Sequence, residues 1–241
     1  MQTLEKVSLE YSVDVNTEDT AVIIVAAGSA SRMQGINKIF LPILKVPVIV
    51  RTVRAFETAG FNNIIVVTKA EDILKMQNLF NEYNVCSVTD IVEGGNTRGE
   101  SVINGIKQIK NKKYLLIHDG ARPLVKPNII LKVREALNTN IAAVAATRVT
   151  DTIKKIDEKG NIISTVNRDE LLSVQTPQGF LLESFQNALK GVDITTVTDD
   201  CAVMENAGIS IFPIIDDKEN IKITTKEDIF LAEVILKGRG E

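Results

Sequence analysis

The chain has 241 residues, 44% hydrophobic and 24% charged, enough to bury one sizeable core. Its 28 basic and 31 acidic residues give a net charge of -3, so no global positive field gathers nucleic acid or an anionic membrane, and any phosphate affinity must be local. A single histidine, His118, and two distant cysteines, Cys86 and Cys201, leave almost no material for zinc clusters or His-dependent triads.

Residues 1–19 are polar and weakly patterned and read as an N-terminal extension, with 20–241 as a single domain. The apolar run from Ala21 to Ala27 predicts a strand, followed by a Gly/Ser loop and an amphipathic helix over 47–59 closed by Gly60. The alternation predicts strands over 63–68, 85–92, 114–118 and 141–147, with helices over 71–83, 98–110 and 127–137. Apolar runs with so little two-residue alternation indicate strands covered on both faces, hence an α/β fold with a mostly parallel sheet between helix layers. Ligands in such sheets bind at the carboxyl ends of the strands. Between Asp151 and Gln175 two short β-like runs flank Lys159-Gly160-Asn161, predicting a projecting hairpin where another βα unit is due. Helices over 181–189, 199–206 and 226–236 and a strand over 209–215 complete the chain. No run approaches ~18 apolar residues and the opening lacks a signal pattern, so a cytoplasmic chain with reduced thiols is expected.

Three loops carry candidate chemistry. The first, Ala26-Ala27-Gly28-Ser29-Ala30-Ser31-Arg32-Met33-Gln34-Gly35-Ile36-Asn37-Lys38, has small residues that let backbone N–H groups approach an anion, with Arg32 and Lys38 supplying charge. Ala30 and Met33 break the dinucleotide fingerprint, and no Gly-Lys-Ser/Thr follows to make a P-loop. The second, Gly94-Gly95-Asn96-Thr97-Arg98-Gly99-Glu100-Ser101, can offer backbone donors, a guanidinium and a hydroxyl to a base or ribose, although a plain capped turn looks similar. The third, His118-Asp119-Gly120-Ala121-Arg122-Pro123, ends an apolar strand with a carboxylate able to hold Mg²⁺ against phosphates or simply to cap a turn. His118 reads as structural. Lys222 interrupts an Ile-Lys-Ile run, and a cation bordering a core usually has a partner.

Together with Asp151-Thr152-Ile153-Lys154, Gln175-Thr176-Pro177-Gln178, Thr198-Asp199-Asp200 and Asn220-Ile221-Lys222-Ile223-Thr224, these segments resemble, in order along the chain, the 2-C-methyl-D-erythritol 4-phosphate cytidylyltransferase family. The resemblance implies a Rossmann-like nucleotidyltransferase fold, a homodimer clasped by the 151–175 arm, and Mg²⁺-dependent attack of a sugar-alcohol phosphate on CTP. It implies catalytic roles for Arg32, Lys38, Arg168 and Lys222. Ala26, Ala27, Gly28, Gly95, Asn96, Arg98, Ser101, Asp119 and Gly120 would surround the nucleotide, with Asp119 near the metal. Arg122, Thr152, Thr176 and Thr198 would form the acceptor pocket. Ala30 departs from the family's second glycine, and Asn96 from a position that is often acidic. Ribitol-5-phosphate cytidylyltransferase, a sister enzyme, and a CTP-binding protein without turnover are the competing readings; no nucleic acid or membrane partner is expected.

Overall fold

The computed structural model describes residues 15–28, 37–194 and 197–241. Arg32 and Ala30 lie outside them. The first half of the chain contains β1 (Thr20–Val25), the small hairpin β2 (Pro42–Ile43) and β3 (Val46–Pro47), α1 (Val48–Thr58), β4 (Ile64–Thr68), α2 (Ile73–Glu82), β5 (Val88–Glu93), α3 (Arg98–Ile106) and β6 (Tyr114–Asp119). The second half contains α4 (Pro127–Ala136), β7 (Ala142–Arg148), β8 (Lys154–Ile156), β9 (Ile162–Thr165), β10 (Leu172–Leu181), α5 (Leu182–Leu189), α6 (Asp200–Asn206), β11 (Phe212–Ile215) and α7 (Lys226–Gly238).

Seven strands form one sheet in the order β11-β7-β10-β6-β1-β4-β5. Alternate side chains of the apolar runs go to opposite faces, as strand geometry requires. Val22 and Ile24 of β1, Ile64 and Val66 of β4 and Leu116 of β6 join one core with α1 and α4. Ile23, Ile65, Val67, Leu115 and Ile117 join a second core with α3, α5 and α6. A third cluster, built from Ile43, Val48, Leu124, Ile223, Ala232 and Leu236, fastens α7 beside the β2–β3 hairpin.

Gly60 ends α1 as the sequence predicts, at φ +83°. Its N–H reaches Glu57 O at 2.9 Å and Phe61 N–H reaches Phe56 O at 3.0 Å, the paired bonds of a Schellman cap. The Phe56 and Phe61 rings meet edge to face at 6.1 Å, the apolar contact that accompanies such a cap.

The largest departure from expectation is β10. It runs antiparallel between β6 and β7, with irregular register between Val174 and Gln178. The polar Gln175-Thr176-Pro177-Gln178 segment hides this strand from an apolar-run reading, and Pro177 has no ladder N–H to give. The hairpin at 151–175 is present: β8 and β9 pair only with each other, around a turn where Asp157 Oδ1 accepts N–H bonds from Lys159 and Asn161. Every residue of both strands is exposed.

Candidate active site

A cleft of about 680 Å³ opens over the carboxyl ends of β1, β4, β5 and β6. Ala26, Ala27, Gly28, Lys38, Gly95, Asn96, Arg98, Ser101, Asp119 and Lys222, all singled out in the sequence, line it together. The chain leaving β1 is latched on both sides, since Ala26 N–H donates to Val67 O and Gly120 N–H to Val25 O. Gly120 lies beneath this latch, where a Cβ would come within 3.1 Å of Ala26 Cβ.

Lys38 opens a short 3-10 turn over Lys38–Phe40. Asn37 fixes that turn from two sides: its Oδ1 accepts from Ile39 N–H, and its Nδ2 donates to Asp72 Oδ2 at 2.7 Å. Lys69 also lines the cleft and sequence reasoning missed it. The available signal was positional, because Lys69 follows β4 as Ala26 follows β1.

The second loop differs from expectation in what it offers. Gly94 N–H goes to Thr68 O, Gly95 N–H to Ser101 Oγ at 3.1 Å, and Asn96 N–H to Glu100 Oε2 at 2.7 Å. Thr97 caps α3 by accepting from Glu100 N–H. These donors are therefore committed to partners within the fold. The glycines are there for closeness: a Cβ at Gly94 would sit 2.5 Å from Ala27 Cβ, and one at Gly95 2.2 Å from Glu100 Cβ.

Asp119, 7% exposed, ends β6 at the floor of the cleft. Its Oδ1 lies 3.5 Å from Arg98 Nε, and its Oδ2 lies 2.8 Å from Lys222 Nζ and 3.5 Å from Arg122 Nε. Burial alone would raise its pKa, but Lys222, Arg98 and Arg122 together hold it well below the usual carboxylate range. The carboxylate therefore stays ionised in the cleft. Arg98 donates in turn to the buried Asp200 at 2.6 Å, and although burial opposes its charge, Asp200 and Asp119 hold its proton more tightly than usual.

The late motifs supply the supports. Asp199 caps α6, accepting from Ala202 N–H and from Gln178 Nε2. Thr198 is exposed beside it. Ile223 is buried in the third cluster and its N–H bonds Ala121 O, which leaves Lys222 directed at Asp119. Arg122 Nη1 donates to Asn220 O at 2.7 Å. Thr176 is buried, and its hydroxyl accepts Asp119 N–H at 3.1 Å. Thr152 and Arg168 are exposed on the arm and do not line this chain's cleft; Arg168 Nη1 donates to Thr150 O.

Among the described residues no group of three or more His, Cys, Asp or Glu side chains gathers to cage a metal. A single ionised carboxylate facing an open cleft suits a hard cation that draws its other ligands from phosphate and water. No described helix is long and apolar enough to cross a membrane.

The family model of 2-C-methyl-D-erythritol 4-phosphate cytidylyltransferase matches residues 20–238. A protein of that name from Dehalococcoides mccartyi strain CBDB1 is 38% identical over 221 residues, covering 91% of this chain and 97% of its own. One from Clostridium tetani is 40% identical over 220 residues, covering 89% of each chain. The solved 4-diphosphocytidyl-2C-methyl-D-erythritol synthase of Anaerococcus prevotii superposes with a TM-score of 0.80 at 28% identity, covering 90% of this chain and 98% of its own. The ordered motifs, the cleft they share and these likenesses place the chain in the 2-C-methyl-D-erythritol 4-phosphate cytidylyltransferase family.

Proposed function

We propose that the protein transfers CMP from CTP to 2-C-methyl-D-erythritol 4-phosphate, releasing pyrophosphate and forming 4-diphosphocytidyl-2-C-methyl-D-erythritol. The observation that carries this reading is the Asp119 carboxylate ringed by Arg98, Arg122 and Lys222 in a cleft whose rim carries Lys38. A phosphate monoester is already an anionic nucleophile, so the reaction needs positioning and charge neutralisation rather than a general base. One acceptor oxygen bonds to the α-phosphorus of CTP, the bond from that phosphorus to the bridging oxygen breaks, and the electron pair leaves with pyrophosphate.

Lys38, with Arg32, would neutralise charge growing on the α-phosphate, while Lys222 and Arg122 would grip the acceptor phosphate. Asp119 would hold Mg²⁺ with the triphosphate, and the ion would supply further charge neutralisation when bound. Because the Gly95 and Asn96 N–H groups are engaged internally, these two residues would direct carbonyl oxygens at a base, which suits an exocyclic amino group such as that of cytosine.

The exposed isoleucines of the arm, Ile156, Ile162 and Ile163, favour a second copy of the chain as partner. In such a homodimer Arg168 and Thr152 would serve the neighbouring cleft. Pyrophosphate release from CTP, measured with each acceptor, tests the reaction. Preference for methylerythritol phosphate is expected; preference for ribitol 5-phosphate would move the protein to the sister activity, and CTP binding without release under either would mark a sensor.

A further inference from the structure

Four residues around the floor of the cleft form a closed cycle of hydrogen bonds. Thr176 Oγ1 accepts Asp119 N–H and lies 2.9 Å from His118 Nδ1. Arg122 O can only accept, so the neutral His118 ring carries its proton on Nε2, which donates to that carbonyl at 3.2 Å, and its Nδ1 accepts the Thr176 hydroxyl proton. The Arg122 guanidinium donates to Asn220 O at 2.7 Å, and Asn220 Nδ2 donates to Thr176 O at 2.9 Å, closing the cycle. His118 is fully buried, Asn220 is 1% and Thr176 4% exposed, and the His118 ring also stands edge to face with Phe56 at 5.1 Å.

We propose that His118 and Asn220 are positioning residues for the acceptor phosphate, acting through Arg122 and Lys222. This rests on the function proposed above. Arg122 is held twice by the cycle, once by its carbonyl and once by its guanidinium, and Lys222 lies two residues from Asn220 on a segment pinned to Ala121 by Ile223. Both cations converge on Asp119. Displacing a positioned charge by about 1 Å costs on the order of 10²-fold in transfer chemistry, so an unsecured Arg122 or Lys222 has kinetic consequences that packing alone does not predict. The β1 and β5 loops on the nucleotide side have their own anchors and do not belong to the cycle, which meets that side only at Asp119, through its N–H to Thr176 and its carboxylate beside Arg122 and Lys222.

The test is steady-state kinetics in both substrates on the full chain, with thermal unfolding read in parallel. His118→Asn keeps an acceptor for the Thr176 hydroxyl, His118→Gln keeps a donor for the Arg122 carbonyl, and Asn220→Ala opens the cycle elsewhere. His118→Asn and Asn220→Ala are expected to raise the acceptor KM by about 10-fold or more while moving the CTP KM less than about 3-fold. His118→Gln is expected to retain more acceptor affinity than His118→Asn. The double variant should lose little more than the worse single one, as coupled members of one network do. Equal shifts in both KM values, or acceptor KM values unchanged despite lower melting temperatures, would overturn the proposal. Should His118→Asn not fold, His118→Gln against Asn220→Ala carries the same comparison. Absence of pyrophosphate release by the unaltered protein is a separate outcome that removes the underlying function instead.

Discussion

Asp119 and the β8–β9 arm stand at opposite extremes of how a segment can be held. The carboxylate has three cations within 3.5 Å, a backbone N–H bonded to Thr176, and every one of these partners in its own chain. The arm pairs only with itself and exposes Ile162 at 67% and Ile156 and Ile163 at 58%. The first region is over-determined within one molecule, whereas the second presents apolar area that only another surface can cover. Deletions in the first therefore speak through turnover at any protein concentration, and changes in the second through assembly and mixing.

The largest effect expected on that contrast is on the cleft. Lys38→Ala and Lys222→Ala should each lower kcat by about 10²- to 10³-fold with folding retained, the scale for removing one preorganised charge stabiliser. Single-turnover rates with saturating CTP and acceptor check this, and near-normal turnover in either variant would take that lysine out of the chemistry.

Stability near the cleft should also depend on pH. Burial, with the nearby Arg122 and Lys222 charges against the Arg122 carbonyl and Asp119, lowers the His118 pKa from 6.5 to about 4. Between those values the unfolded chain binds the proton and the folded one does not. The contribution is therefore fully present above about pH 6.5 and is lost as pH falls toward about 4, amounting to about 3 kcal/mol at about 1.36 kcal/mol per unit. Urea unfolding of the unaltered protein and His118→Gln at pH 7 and pH 4.5 measures it; an identical pH dependence in both would contradict the assignment.

Arg168→Ala should weaken acceptor use by roughly 10-fold while sparing CTP binding, the scale of one charged contact. If the arm crosses to a neighbour, mixing Arg168→Ala with Lys38→Ala should give more activity than either variant alone. No recovery on mixing would confine Arg168 to its own chain. The smallest effect on the chain's own stability is expected from Ile162→Lys, within about 0.5 kcal/mol for so exposed a site. Its consequence should instead be loss of the proposed homodimer, read by sedimentation; an oligomeric state equal to that of the unaltered protein would remove the arm from that proposal.

How legible these regions were in the sequence follows the same division. The central strands β1 and β6 were plain because both faces are covered and their centres, residues 21–25 and 115–117, are apolar without a break. The start of β5 was misjudged by three residues, because Asn84 at φ +52° closes the α2 cap and Cys86 and Ser87 N–H groups bond Glu57 Oε1 before the strand begins. Strand β10 was missed because its polar centre serves the site rather than the core. Among site residues, the motif lysines and arginines carried a charge signal, and Lys222 was recognisable by the two isoleucines around it. His118 and Asn220 carried none, since their importance lies in bonds between segments more than 40 residues apart in sequence.

Strand β10 also joins the two regions physically. Its first residue, Leu172, is exposed at the root of the arm, while Thr176 is buried against His118 and Asp119. Four residue steps of extended chain, about 13 Å at ~3.3 Å each, separate the two. One strand of the central sheet thus runs from the root of the arm to the floor of the cleft, so a partner that gripped the arm would be a few residues of chain from the residue that bonds His118 and Asp119.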